Sequence, residues 1–188
     1  MRIIAIIPAR GGSKRLKKKN IILLKGKPLI SYTIKACKQS KKIDDIYVSS
    51  DDDEILTVSE KYGAKPLKRE SNTSDDETPK IVAIRSVLKQ EKLQSDGKPD
   101  IIIIPQANSP EINSKEIDKG IDFMIKHNLW EVMSANSNGV QNAAFRIIRA
   151  DKIENNFLSA HCGFVIFDCA DIHTIEDLNK LENSDKSF

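Results

Sequence analysis

The sequence predicts an α/β fold of three layers, a mainly parallel sheet with helices on both faces. Two observations carry this. Short, continuous, largely β-branched runs recur at Ile3–Ile7, Ile46–Val48 and Ile101–Ile104, as strands buried on both faces do. Between them lie longer stretches with helical spacing of apolar residues, the alternation that a parallel sheet with crossover helices produces.

The elements follow in order. Ile3-Ile4-Ala5-Ile6-Ile7 makes the first strand, stopped at Pro8, and a loop rich in Gly and Lys runs to Asn20. Pro28 is placed at the first position of a helix to about Ser40, because its missing N–H costs nothing there. Leu29, Ile30, Ile34 and Cys37 share one face of that helix. Ile46-Tyr47-Val48 is the second strand, ending at Ser49-Ser50-Asp51. Asp52 to Tyr62 reads as a helix with Gly63 as its C-terminal cap. Ala64 to Leu67 is a short third strand, which Pro66 confines to a sheet edge for want of a ladder donor.

Thr78 to about Leu93 carries Ile81, Val82, Ile84, Val87 and Leu88 at helical spacing, and Ser95-Asp96-Gly97-Lys98-Pro99 is a turn. Ile101 to Ile104 is the clearest buried strand, stopped by Pro105. Ser114 is expected to cap a helix through about His127, with Ile117, Ile121 and Ile125 in register. Val132–Ala135, Ala144–Ile148 and Gly163–Phe167 are further strands, and Thr174–Leu181 is a closing helix. In such sheets ligands bind beyond the carboxyl ends of the strands. The loops after Ile7, Val48, Ile104 and Phe167 are therefore the ones to examine.

Composition narrows the function. The 188 residues suit one domain, and 39% hydrophobic against 30% charged reads as soluble and globular. No apolar run approaches the roughly 20 residues of a membrane helix. The first apolar run is cut at Pro8, too early for a signal peptide. Three cysteines, Cys37, Cys162 and Cys169, with no C-x-x-C, point to reduced thiols in a cytoplasm. The net charge of +3 is too small to imply nucleic acid, and aromatics at 5% leave few stacking platforms for it. Its distribution says more. Arg10, Lys14, Arg15, Lys17, Lys18 and Lys19 lie in one acid-free stretch, so the rest of the chain is net acidic.

That stretch is the loop after the first strand, Pro8-Ala9-Arg10-Gly11-Gly12-Ser13-Lys14. Two glycines let successive N–H groups turn toward an anion, and the cations add charge, as a triphosphate requires. Neither G-x-x-x-x-G-K-[ST] nor G-x-G-x-x-G is present. The residues alone leave three readings, a phosphate cradle, a solvated basic turn, or a patch for RNA or acidic lipid.

Ile6-Ile7-Pro8-Ala9-Arg10-Gly11-Gly12-Ser13-Lys14-Arg15, Lys19-Asn20-Ile21 and Gly26-Lys27-Pro28-Leu29-Ile30 resemble the start of the CMP-sialic acid synthetases. These are the acylneuraminate cytidylyltransferases, with the related Kdo, legionaminate and pseudaminate activating enzymes. The resemblance extends through Val48-Ser49-Ser50-Asp51-Asp52, Tyr62-Gly63-Ala64, Arg69, Gln106-Ala107-Asn108-Ser109-Pro110, and Asp171-Ile172-His173-Thr174 with Asp177-Leu178. It implies a nucleotide-diphospho-sugar transferase-like sheet. The implied reaction joins CTP to an acidic 2-keto-3-deoxy sugar of sialic, legionaminic, pseudaminic or Kdo type and releases pyrophosphate.

By the same resemblance, Ala9, Arg10, Gly11, Gly12, Ser13 and Lys14 hold the triphosphate. Arg10, Lys19 and Asp171 act in catalysis, Lys19 at the α-phosphate, while Asn20 and Arg69 place the cytidine. Gln106, Asn108, Ser109 and Arg146 meet the sugar. Asp171, with His173 where the family often has a second Asp, holds Mg²⁺, with Mn²⁺ as the alternative. Arg15, Lys17 and Lys18 are taken as background charge. Residues 136–162 are shorter than the region where relatives carry a dimerisation arm, so the implied homodimer loses its usual arm. The competing readings are another sugar nucleotidyltransferase and a catalytically impaired nucleotide-binding regulator. Nucleic acid and membrane are not expected partners.

Overall fold

A computed structural model of the chain describes residues 1–69, 80–90, 93, 95–155, 160–186 and 188. Seven strands form one sheet: β1 (Ile3–Pro8), β4 (Asp45–Ser50), β5 (Lys65–Lys68), β6 (Ile101–Pro105), β7 (Glu131–Ala135), β8 (Gln141–Arg149) and β9 (Cys162–Ile166), in the order β5-β4-β1-β6-β8-β7-β9. β2 (Leu23–Leu24) and β3 (Lys27–Pro28) make a small separate hairpin. The helices are α1 (Leu29–Gln39), α2 (Asp53–Lys61), α3 (Lys80–Leu88), α4 (Ser114–Lys126) and α5 (Ile175–Glu182).

β1 lies between β4 and β6, parallel to both, and every residue from Ile3 to Ile7 is buried. Strand alternation divides the run between two layers. Ile3, Ala5 and Ile7 pack with Ile30, Ile34 and Cys37 of α1, Ile55 of α2 and Ile117 and Ile121 of α4. Ile4 and Ile6 pack with Ile84 and Val87 of α3, together with Tyr47 and Ile148. This explains why the run carries no polar residue. Cys37 packs as a small hydrophobe, and burial pushes its thiol up to about 12.

Six of the seven strands share one direction; β8 alone runs against its neighbours β6 and β7. β5 occupies the edge, as Pro66 requires. The expected helix start at Thr78 lies outside the described residues; the described part is α3, whose Val82 is 39% exposed.

Three local expectations change. Pro28 is the N-cap of α1 rather than its first residue, because it still pairs with Leu23 in the hairpin. The hairpin turns on Lys25 and Gly26, both at positive φ (47° and 76°), as a two-residue loop demands. The cap of α4 is Asn113, whose side chain accepts from the Glu116 N–H; Ser114 is the first helical residue. Ile125 is 46% exposed, so the buried stripe of α4 is Ile117, Gly120, Ile121 and Met124.

At the amino ends of the strands a polar network closes the sheet. The Tyr47 hydroxyl donates to Asp96 (2.6 Å) and accepts from Arg2 (3.1 Å). Arg2 also pairs with Asp45 at 2.8 Å, and Lys65 bridges Asp45 and Asp96 at 2.9 Å each. Burial opposes ionisation of Asp45, but hydrogen bonds from Lys65 and Arg2 outweigh it and hold the carboxyl below its ordinary value. Asp96 is lowered by Lys65 and Tyr47.

Tyr47→Phe should cost about 1–3 kcal/mol in urea unfolding, because a buried ring loses charged partners. Asp45→Asn should destabilise at neutral pH. A carboxylate lowered in the fold contributes fully above its unfolded pKa, and that contribution fades as pH falls through the lower folded value. The gap between wild type and Asp45→Asn should therefore close in acid; a gap that widens would contradict the network.

Candidate functional site

The carboxyl ends of the parallel strands form one rim, and the loop after β1 is fixed there by its backbone. The Ala9 N–H donates to Ser49 O (2.9 Å) and the Gly11 N–H to Asp51 Oδ1 (3.0 Å). Asn20, 5% exposed, donates its amide to Arg10 O at 2.8 Å. Gly11 is required by close approach rather than by an unusual backbone. A Cβ there would stand 2.7 Å from Asp52 Oδ2 and 2.8 Å from its Cβ, and neither Gly11 nor Gly12 has a positive φ. The expectation that both glycines turn N–H groups toward an anion is thus modified, since the Gly11 N–H is committed to Asp51. Asp52 is itself the N-cap of α2, accepting from the Glu54 N–H at 2.8 Å and that of Ile55 at 3.3 Å.

Held in this way, the loop opens onto a cavity of about 410 Å³ lined by Arg10, Ser13, Lys14, Arg15, Lys19 and His173. Among the described residues no carboxylate and no apolar side chain lines it. Four cationic side chains around one cavity offer charge-assisted donors to an anion. Arg15, taken from the sequence as background, is part of this lining. One basic residue among several in a run gives no local sign of which way it points. Lys18 does behave as surface charge, paired with Glu54 across an exposed contact of 2.5 Å.

Arg69 reaches the same rim from the end of β5, its N–H donating to Ser50 O at 3.0 Å. It is 8% exposed, and burial pulls its guanidinium below the ordinary value, with Asp51 opposing and Arg10 reinforcing the shift. Arg10, Asp51 and Arg69 therefore sense one another's charge.

The loop after β6 meets the segment after β9. The Ile172 N–H donates to Asn108 O (2.9 Å), and the Asn108 amide returns a bond to Ile172 O (3.0 Å). The fully buried Ser109 hydroxyl donates to Asp171 Oδ1. Asn108 and Ser109, read as sugar contacts, thus commit these polar atoms to placing Asp171, half-buried on the rim. His173 and Thr174 both donate N–H groups to Asp177 Oδ2 at 2.9 Å, within the capping box of α5. Asp177 is held below its ordinary value first by the His173 N–H.

Gln106 and Arg146 meet elsewhere, in a cavity of about 200 Å³ that includes Gln141 and Asn142. Thr33, which the sequence did not single out, fixes Gln106 by donating to its carbonyl at 2.8 Å. Arg146 pairs through Nε with the buried Glu131. Among the described residues no three His, Cys, Asp or Glu side chains come together as a metal cage. One donor on the rim, the Asp171 carboxylate, suits a hard divalent cation taking its other ligands from phosphate oxygens.

Gly11→Ala should displace Asp52 from its cap and lower stability by about 1–2 kcal/mol. Gly12→Ala, with nothing within 4 Å of its added carbon, should stay within about 0.5 kcal/mol of wild type. Thermal unfolding of the two variants side by side checks the close-approach argument.

Comparison with known proteins gives the family and the fold. The family model described as "Cytidylyltransferase" matches residues 4–161. Pseudaminic acid cytidylyltransferase of Campylobacter jejuni is 41% identical over 129 residues, 68% of this chain and 55% of that protein. N-acylneuraminate cytidylyltransferase A of Danio rerio is 35% identical over 132 residues, 70% of this chain and 30% of that protein. The chain thus spans about half the length, or less, of these relatives. Among solved structures, a CMP:2-keto-3-deoxy-manno-octonic acid synthetase complexed with CTP superposes with a TM-score of 0.78 at 15% identity. That match covers 97% of each chain. Rv0371C of Mycobacterium tuberculosis, in complex with manganese, gives a TM-score of 0.70 at 13% identity, covering 98% of this chain and 100% of that one. These two likenesses establish the fold.

Proposed function

The chain belongs to the cytidylyltransferase family, and on that premise we propose that it transfers CMP from CTP to an acidic 2-keto-3-deoxy sugar, releasing pyrophosphate. The observation that carries the proposal is the cavity lined by Arg10, Ser13, Lys14, Arg15, Lys19 and His173 at the carboxyl rim of the sheet. Its size and charge suit a nucleoside triphosphate. The names of the relatives, which act on pseudaminic and N-acylneuraminic acids, supply the class of acceptor.

The sugar's anomeric hydroxyl oxygen bonds to the α-phosphorus and loses its proton. The bond from that phosphorus to the bridging oxygen breaks, and pyrophosphate leaves with the electron pair. Such a transfer depends on positioning and charge neutralisation rather than covalent catalysis. From the loop Ala9–Lys14 the side chains of Arg10, Ser13 and Lys14 hold the phosphate chain, and Lys19 offsets charge developing at the α-phosphate. Asn20 acts through the Arg10 carbonyl that it holds, and Arg69 carries a buried charge toward the cytidine side. Asp171, fixed by Ser109, holds the divalent cation, Mg²⁺ or Mn²⁺, which when bound neutralises phosphate charge. Gln106 and Arg146 meet the acidic sugar in the second cavity, Arg146 oriented by Glu131.

CTP and Mg²⁺ with sialic, legionaminic, pseudaminic or Kdo acid should release pyrophosphate for at least one acceptor. CTP binding with no turnover across that panel would instead favour a nucleotide-binding regulator. Lys19→Ala should lower kcat by a factor of about 10²–10³, as loss of one group aimed at developing charge does, with a smaller change in CTP affinity. Asp171→Asn should abolish metal-dependent turnover; retained activity would move the cation elsewhere.

A further inference from the structure

The wall of the basic cavity includes two residues that the family reading leaves aside or assigns otherwise, Arg15 and His173. We propose that His173 is a ligand of the phosphate chain, not of the metal, and that Arg15 works with it from the facing loop. This rests on the reading of the cavity as a triphosphate site.

Three observations support it. His173 shares its cavity with Arg10, Lys14, Arg15 and Lys19, whose N–H donors suit the oxygens of an anion rather than a metal ion. Asp171 is absent from that lining, and its Oδ1 is turned to the Ser109 hydroxyl. The two positions two residues apart thus face different surroundings, and no three metal-binding side chains gather among the described residues. Chemistry agrees, since imidazole is a poor partner for hard Mg²⁺ and each of its forms carries an N–H that can donate to a phosphate oxygen.

Hydrogen bonds on either side fix the backbone that carries His173. Ile172 is buried and bonded to Asn108 in both directions, and the His173 N–H is bound by Asp177. Leu16, beside Arg15 in the chain, packs in the same apolar cluster as Ile172. Buried neighbours in one cluster therefore bring the two residues to the same cavity, while Arg15 and His173 themselves are exposed.

The test measures binding of CTP and of inorganic pyrophosphate by calorimetry in EDTA, and separately the Mg²⁺ concentration giving half-maximal turnover. His173→Ala and Arg15→Ala should each weaken both metal-free affinities about five- to tenfold and shift the Mg²⁺ midpoint less than twofold. His173→Asn, which keeps a donor, should recover part of the loss. His173→Asp should bind metal-free pyrophosphate more weakly than His173→Ala, because a carboxylate repels phosphate oxygens. A His173→Ala protein with unchanged metal-free affinities and a Mg²⁺ midpoint raised tenfold would overturn the assignment and make His173 a metal ligand. Lys14→Ala separates the two levels of argument. If it too leaves both affinities unchanged, the cavity is not the triphosphate site; if it weakens them while His173→Ala and Arg15→Ala do not, only the wall assignment fails.

Discussion

A small apolar cluster is what the candidate site depends on. Leu16 from the basic loop, Leu24 from the hairpin, Leu29 and Tyr32 from α1, Ile172, and Leu178 and Leu181 of α5 pack into one buried group. Four cations on a loop have no attraction for one another, and nothing in their own chemistry would gather them around a cavity. The cluster does so indirectly, by burying the residue next to Arg15 and the residue next to His173 against common neighbours. Burial of this kind is non-directional and contributes about 25 cal/mol per Å² of apolar surface, so it tolerates the repulsion that it imposes. The polar ties from Asn20, Asp51 and Asn108 then set orientation, each by a bond whose partner is backbone.

Much of the fold was legible because burial on two faces leaves a plain mark. Ile3–Ile7 and Ile101–Ile104 carry no polar residue since each side chain meets a helix layer or a neighbouring strand. The edge position of β5 was equally readable, because Pro66 removes a ladder donor. Direction was not. The apolar content of Ala144–Ile148 is the same whether the strand runs with or against β6, so the reversal of β8 leaves no trace in periodicity. The cap of α4 was misplaced by one residue because Asn113 and Ser114 are both good caps, and only the bond to the Glu116 N–H decides between them.

The site was legible where it is local and hidden where it is not. The run from Ala9 to Lys14 and Lys19-Asn20 names its own chemistry, and the structure gathers Arg10, Ser13, Lys14 and Lys19 around one cavity. Arg15 looked like its neighbours Lys17 and Lys18, and only packing of Leu16 beneath it separates them. Asn108 and Ser109 could be read as polar loop residues facing a ligand. Their bonds to Ile172 and Asp171 cross more than sixty residues of chain, a pairing that no single-sequence pattern carries.

The reversed strand has a consequence for how such a protein can change over generations. Because β8 runs backward, it begins at the rim where its neighbours end, and Gln141 and Asn142 enter the second cavity from its start. The turn that feeds it, closed by Asn136 and Val140 and steadied by Asp168 against Ser137, therefore hangs over the ligand side of the sheet. Residues inserted there would enlarge the surroundings of that cavity without moving the register of a single ladder. The lining of the second cavity can drift at this hairpin while the basic cavity, built on other strands, stays as it is.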